Sequence, residues 1–168
     1  MPRLRLDDWQ PHPAVANRLT GQDDGPHATL ALGDQAGLVQ FGVHLERLPP
    51  GSRSSHRHWH ETEDEFVLVL SGELVLVEDV ETVLRAGDAA AWAAGAPLAH
   101  CLENRAAGDA TFLVVGARAA AGTVHYPDHG LVMRHDETGR RFFRADGSPV
   151  DHAAAPSATD GTKPPARR

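Results

Sequence analysis

Residues 57–77 read RHWHETEDEFVLVLSGELVLV, and the prediction of the fold starts from them. It contains two apolar runs, Glu65 to Leu70 and Glu73 to Val77, with Gly72 between them. Runs of this length, rich in β-branched residues and separated by a turn-forming glycine, are typical of two paired strands. The first run is apolar on both faces after Glu65, so we expect a second layer of structure to cover its outer face.

Short β-rich runs continue on both sides of this stretch. Upstream, the apolar residues from Val39 to Leu45 alternate with the polar residues and glycine from Gln40 to Glu46, which is the pattern of a strand with one buried face. The remaining runs are His56 to His60, Thr82 to Leu84, Ala89 to Trp92, His100 to Glu103 and Thr111 to Val115. Because no long helical pattern interrupts them, the runs predict an all-β sandwich, jelly roll or small barrel.

The composition divides the chain into four parts. Residues 1–27 are rich in Pro, Asp, Gln and His and have Trp9 and Leu19 as apolar anchors, whereas the last part of the chain is low in large apolar residues. The predicted parts are an N-terminal arm packing on the barrel (1–37), the barrel core (38–118), a short C-terminal cap and hairpin (119–152) and a flexible tail (153–168).

Length and charge exclude several classes of function. The 168 residues fit one domain, and 16 Lys and Arg against 23 Asp and Glu give a net charge of −7 without a basic block, so no nucleic-acid partner is expected. No apolar run is long enough for a signal peptide or a membrane span, so we expect a cytoplasmic protein with no membrane partner. Cys101 is the single cysteine, which excludes an internal disulfide, and we interpret it as a buried structural thiol.

Histidines and one glutamate form the pattern that carries chemistry. His58 and His60 are two residues apart, so in a strand their imidazoles project from the same face, and Glu65 would open the next strand beside them. His100 is the natural fourth ligand from farther along the chain. Three nitrogens and one carboxylate oxygen suit one Fe, Mn, Ni, Co, Cu or Zn ion better than calcium or magnesium. A pair formed by His56 and His58 is the alternative.

The glycines around these ligands complete two motifs. The first, with two histidines and a glutamate, extends from Gly51 to Gly72, and the second extends from Gly87 to Asn104. Together they resemble the cupin superfamily, and in particular small bacterial single-domain cupin proteins of unassigned activity. The resemblance implies a double-stranded β-helix barrel, a metal at His58, His60, Glu65 and His100, and often a homodimer. Asn104 is interpreted as a residue that bonds the backbone, not as a ligand.

Other residues are weaker candidates for the site. His125 and Tyr126 could supply an acid or base at the mouth of the barrel, although a surface loop is the simpler interpretation of this segment. Arg53 and Arg57 could attract an anionic substrate, although solvated arginines are the more common case.

Three functions are compatible with these patterns. The first is a dioxygenase-like oxidoreductase that uses one divalent metal ion and acts on a small organic molecule. The second is a metal-dependent isomerase, epimerase or lyase, and the third is a non-catalytic module that binds a small molecule or a metal. Since one barrel can host unrelated activities, the pattern alone does not choose among them.

Overall fold

The computed structural model describes residues 3–17 and 20–150. Leu19 and the predicted tail 153–168 lie outside the described residues. Strands dominate the described part, which also contains one α-helix of four residues, α1 (Leu32–Gln35), and one 3-10 turn, Pro127–His129. The predicted all-β class is therefore confirmed.

The strands follow one another with short connections. In chain order they are β1 (Gln10–His12), β2 (His27–Leu30), β3 (Phe41–Leu48), β4 (Trp59–His60), β5 (Glu65–Ser71), β6 (Glu73–Val77), β7 (Thr82–Arg85), β8 (Ala89–Trp92), β9 (Cys101–Glu103), β10 (Ala110–Ala117), β11 (Gly122–Tyr126), β12 (Leu131–Asp136) and β13 (Gly139–Arg144).

The described strands form three sheets. The largest has six strands in the order β1-β2-β3-β10-β5-β8, and a smaller one has the order β7-β6-β9. Side chains from these two sheets meet in one core, which includes Leu48, Leu74 and Phe112. The third sheet, β13-β12-β11-β4, carries the histidine-rich strand β4. The arrangement is the double-stranded β-helix of the cupin fold.

Gly72 makes the turn between β5 and β6 possible. Its φ is +78°, and a Cβ built there would lie 2.7 Å from the backbone oxygen of Asp109 and 2.8 Å from the Cα of Ala110. An L side chain is strained in this conformation and has no space here. The glycine of the quoted stretch is therefore required by both the backbone and the packing.

Strand β3 presents its polar face to the interior of the barrel. His44 and Glu46 line the central cavity together with Gly42. The apolar residue Phe41, on the opposite face, is 41% exposed. The prediction that the apolar face of this strand is the buried one is therefore wrong for its first half, because the barrel interior is a polar site at this end.

The flanking segments are more regular than their composition indicates. In the predicted arm, β1 and β2 extend the six-stranded sheet beyond β3, and the guanidinium of Arg47 lies 4.2 Å from the centre of the Trp9 ring. In the predicted cap, β11, β12 and β13 form an antiparallel sheet that pairs with β4. Among the residues the structure describes, no helix has the length and apolar character needed to cross a membrane.

Candidate metal centre

A two-residue bridge brings His58 and His100 together. The two residues lie opposite each other in an antiparallel bridge. The backbone N–H of His58 donates to the backbone oxygen of His100 at 3.1 Å, and the backbone N–H of His100 donates to the backbone oxygen of His58 at 3.0 Å. Directly opposed residues project from the same face, so both imidazoles point into the barrel. This pairing fixes the position of His100 in the structure. The sequence indicated His100 only through its place in the second motif.

Glu65 completes a compact group with these two histidines. Its Oε2 lies 3.3 Å from Nε2 of His100. One ligand atom from each of His58, Glu65 and His100 lies within 4.8 Å of the other two, and the side chain of His100 is almost fully buried. Two imidazole nitrogens and a carboxylate oxygen at these separations form a set that could bind a transition metal ion.

His60 lies beside this group, slightly farther from its centre. Its Nε2 is 3.6 Å from Oε2 of Glu65, and its ring centre is 4.9 Å from that of His58. On the other side of the ring, Nδ1 lies 3.1 Å from Oε2 of Glu63. All four predicted ligands therefore lie together, with His58, Glu65 and His100 forming the tightest set.

Contacts on the far side of the imidazoles orient them towards the centre. Nδ1 of His58 lies 2.9 Å from the backbone oxygen of His56 and 3.1 Å from Oγ of Ser55. Nδ1 of His100 lies 3.0 Å from the backbone oxygen of Leu98. A proton held on Nδ1 by a carbonyl leaves the lone pair on Nε2, which is the arrangement of metal-binding histidines.

Burial and nearby charges place His58 and Glu65 in the protonation states that a metal requires. Burial lowers the pKa of His58 and so favours the neutral imidazole. Burial alone would raise the pKa of Glu65, but the close contact with His100 and the other nearby histidines outweighs it, so the pKa lies below its usual range. A neutral histidine and an ionised glutamate are ready to bind a cation without first losing protons.

An aromatic ring packs against one candidate ligand from the side. Trp92 stacks on His100 with ring centres 3.6 Å apart and nearly parallel planes, and its Nε1 donates to Oε1 of Glu78 at 2.7 Å. Since the indole is itself anchored, it restricts the imidazole to one plane. Neither Trp92 nor Glu63 belongs to the predicted ligand pattern, and only their spatial contacts identify them as supports of the site.

The group opens into a cavity of about 390 Å³. Two polar residues of its wall, His44 and Glu46, come from β3 and were not predicted as site residues, because their alternation with apolar residues indicated a solvent-facing side. Arg118 also lines the cavity; its guanidinium pairs with Asp34 and donates to the backbone oxygen of Leu38 at 3.1 Å. Besides the histidine-glutamate group, the cavity wall therefore carries further carboxylates, the imidazole of His44 and the guanidinium of Arg118.

The alternative pairing of His56 with His58 does not occur at this centre. The ring nitrogens of His56 lie 3.0 Å from Oγ1 of Thr20 and 3.0 Å from a guanidinium nitrogen of Arg53. Its ring also packs edge-on against His129, with 4.5 Å between ring centres. These contacts occupy the imidazole on the side away from the cavity.

The weaker acid-base candidates lie outside the cavity wall. His125 stacks on Trp59 with ring centres 4.1 Å apart, and its Nε2 lies 2.7 Å from Oε1 of Glu61. Because Trp59 lies between His58 and His60 in sequence, this stack is on the opposite face of the sheet. Tyr126 stacks on the ring of His58 at 5.7 Å, and burial raises its pKa, so it packs against a ligand as a protonated phenol.

Arg53 and Arg57, the two candidate arginines, make their contacts outside the cavity. Arg53 donates to Oδ1 of Asp24 at 2.6 Å, and Arg57 donates to the backbone oxygen of Glu78 at 3.1 Å. Neither lines the cavity, because both side chains are used to attach neighbouring segments. The basic residue at the cavity is Arg118 instead.

The contacts of Cys101 and Asn104, two residues near His100, indicate structural roles. Burial raises the pKa of Cys101 to about 12, so the thiol stays protonated and unreactive. The amide of Asn104 donates to the backbone oxygens of Leu48 and Gly108 at 2.7 and 2.8 Å. Both agree with the structural interpretation of these residues.

Comparisons with known proteins extend these findings. The profile of the cupin domain matches residues 44–116. A solved structure described as a sugar phosphate isomerase from a cupin superfamily, from Silicibacter pomeroyi, is 43% identical and covers 90% of this chain and 98% of its own, with a TM-score of 0.80. A protein proposed to be a sugar phosphate isomerase, from Acidithiobacillus ferrooxidans, is 28% identical, with coverages of 75% and 81% and a TM-score of 0.70. A search of curated proteins finds no match.

The chain belongs to the cupin superfamily, as a small cupin with a histidine-glutamate group at its centre. A third structure, a predicted oxalate decarboxylase from Thermotoga maritima, is 26% identical over 70% of this chain and all of its own, with a TM-score of 0.56. None of these three proteins is described as an oxygenase. The comparisons therefore favour the isomerase alternative and give no support to the expected oxidoreductase.

Proposed function

We propose that this protein is a metal-dependent isomerase that acts on a small phosphorylated sugar. The observation that carries the proposal is the position of the group formed by His58, Glu65 and His100 at the wall of a polar cavity. The 43% identity to the Silicibacter pomeroyi protein, over 90% of this chain, supports the class of reaction and substrate.

The proposed chemistry divides between a metal ion and the chain. When bound by His58, Glu65 and His100, with His60 beside them, a divalent transition metal supplies polarisation of a sugar carbonyl. Glu63 and the backbone carbonyls behind the imidazoles keep the ligands oriented. The polar cavity then positions the hydroxyl groups of an open-chain sugar next to that carbonyl.

Arg118 is the proposed contact for the phosphate group. It is the arginine among the described residues of the cavity wall, and its side chain is 41% exposed. Its guanidinium lies beside Gly42, where a side chain would narrow the entrance. A phosphate can replace Asp34 as its partner, because guanidinium forms paired hydrogen bonds with phosphate as readily as with carboxylate.

The experiment uses protein purified without a histidine tag and reconstituted anaerobically with Mn, Fe, Co, Ni or Zn. Aldose and ketose phosphates are offered one at a time, and the ratio of isomers is followed by NMR while an electrode records dissolved oxygen. We expect interconversion without oxygen uptake, and its loss in the His100→Ala variant. Oxygen uptake that depends on substrate would favour the oxygenase, and full metal without either signal would favour a binding module.

A further inference from the structure

A second polar group lies in the cavity on the inner face of β3. Nε2 of His44 is 3.1 Å from Oε1 of Glu46, and both residues line the same cavity as the metal ligands. The side chain of Glu46 is only 15% exposed, and its Oε2 is buried without a hydrogen-bond partner in the described part of the chain. Burying a carboxylate oxygen without a hydrogen-bond partner costs free energy, so such a group is expected to have a function or to bind a ligand.

The sheet register gives the distance between this pair and the metal ligands. Glu65 is opposite Gly116, which is opposite Gly42, and His44 follows Gly42 by two residues on the same face. With strands about 4.8 Å apart and about 3.3 Å per residue, the Cα atoms of Glu65 and His44 are separated by roughly 12 Å. Two inward side chains reduce this to a gap that a small ligand can bridge.

The gap is open because of the residues within it. Gly116 and Gly42 stand beside Glu65 on the inner face, and neither contributes a side chain. The next residue of β10 on the inner face is Val114. It lies opposite both His44 and Val67, and its side chain limits the cavity beyond the glycines. A ligand that touches the metal ligands is therefore directed along the glycine row towards His44.

The hydrogen bond between His44 and Glu46 leaves the imidazole able to accept a proton. When Nε2–H of His44 donates its hydrogen bond to Glu46, the lone pair of the neutral imidazole lies on Nδ1. The structure gives Nδ1 of His44 no hydrogen bond from the residues it describes, and the side chain is 34% exposed. The free lone pair is therefore accessible to a ligand.

The other carboxylates of the cavity wall, apart from Glu65, are already engaged. Glu63 contacts His60 and accepts the backbone N–H of Ala119 at 3.0 Å. Asp64 accepts the backbone N–H of Ala94 at 2.8 Å. Within the described cavity wall, His44 is thus the imidazole that is separate from the metal ligands.

We propose that His44 is the proton-transferring residue of the isomerase and that Glu46 is its positioning residue; this inference rests on the proposed function. Nδ1 of His44 accepts the proton from the carbon next to the sugar carbonyl, and the electron pair of that C–H bond forms a carbon–carbon double bond as the carbonyl oxygen takes the negative charge. The proton of the substrate hydroxyl then moves to that oxygen. His44 returns its proton to the former carbonyl carbon, and no oxidant or reductant is consumed.

The test compares the wild type with His44→Gln and with the control His125→Gln, which changes a histidine outside the cavity. Each metal-loaded protein is incubated with an aldose phosphate in D2O, and metal content, product and deuterium at the former carbonyl carbon are measured. We expect His44→Gln to retain its metal and to lose at least about 100-fold in both isomerisation and exchange. The control is expected to stay within about twofold of the wild type.

The outcomes separate this inference from the proposed function. Isomerisation by the wild type together with nearly unchanged rates in metal-loaded His44→Gln would overturn the role of His44 alone. A fully metal-loaded wild type that converts none of the sugar phosphates would overturn the proposed function and the role of His44 with it.

A spectroscopic measurement keeps the inference testable if His44→Gln does not fold. Nitrogen-15 NMR of the histidine rings in the wild type should show His44 with its proton on Nε2, and Glu46→Leu should mix the two tautomers while metal content is unchanged. A wild-type His44 with its proton on Nδ1 would overturn the inference, because Nδ1 could then not accept a proton.

Discussion

For single residues, the proposed metal binding depends on which nitrogen of each imidazole is free. Burial, carbonyl contacts and the Trp92 stack all act on the same imidazoles, and together they direct Nε2 of His58 and His100 to Glu65. A site supported in this way should be sensitive to residues that never touch the metal.

Glu63 provides a test of that support. Replacing it by glutamine removes the charge 3.1 Å from Nδ1 of His60 with almost no change of shape. Loss of such an outer contact typically weakens metal affinity about 10- to 100-fold. Competition with a coloured chelator measures the affinity, and Glu61→Gln, which changes the partner of His125, is the matched control. Equal affinities in the wild type and both variants would contradict the proposed orientation of His60.

Cys101 connects burial with stability at alkaline pH. Its pKa is about 12 in the folded protein against 9.0 for an ordinary thiol, so the folded state holds a proton that the unfolded state releases. The stabilisation is complete below pH 9 and is lost as the pH rises towards 12, by about 1.4 kcal/mol per unit. Urea unfolding from pH 8 upwards should show this extra slope in the wild type, and its absence in Cys101→Ala. Parallel pH dependences would contradict the burial of the thiol.

At the scale of elements, local patterns were predictive and long-range pairings were not. The two apolar runs around Gly72 were identified as β5 and β6 because alternation and turn chemistry are local properties. The shared face of His58 and His60 is predicted from strand periodicity in the same way, and Glu65 is predicted from its place at the start of the next run. The orientation of β3 was predicted wrongly, since the sequence does not reveal that the barrel interior is polar at that end. The bridge between His58 and His100 depends on residues 42 positions apart, beyond any local pattern.

Gly72 allows the turn between β5 and β6 to be tested directly. Gly72→Ala would combine a left-handed backbone with contacts under 3.0 Å to the backbone of Asp109 and Ala110. We expect a loss of at least about 2 kcal/mol in the free energy of unfolding, measured by urea denaturation. Gly37→Ala is the control, because its φ of +68° is similar but no atom lies within 4 Å of the added Cβ. Equal losses in both variants would show that backbone strain alone, without packing, determines the cost.

In the molecule as a whole, the outer face of the six-stranded sheet carries exposed apolar side chains. Val115 is opposite both Val43 and Phe66, which forms an apolar row across three strands, and Phe66 and Phe41 are 38% and 41% exposed. Exposed apolar surface on a sheet favours association. We propose that a second copy of the chain covers this face.

Light scattering tests this assembly. We expect a mass of twice the 18.0 kDa of one chain at micromolar concentration. Phe66→Lys should weaken the dimer at least about 100-fold, because it buries an unpaired charge. Val80→Lys, at a position that is 76% exposed in a turn, is the control and should remain dimeric. A wild type that is monomeric under these conditions would contradict the proposal.

Elemental analysis determines whether His58, Glu65 and His100 bind one transition metal ion. Tag-free wild-type protein is reconstituted with a divalent transition metal, freed of excess metal and measured for metal per chain, alongside Glu65→Gln and the control His125→Gln. We expect one ion per chain in the wild type and in the control, and loss of stoichiometric metal in Glu65→Gln. A wild type without metal, or a Glu65→Gln variant that retains it fully, would contradict the claim.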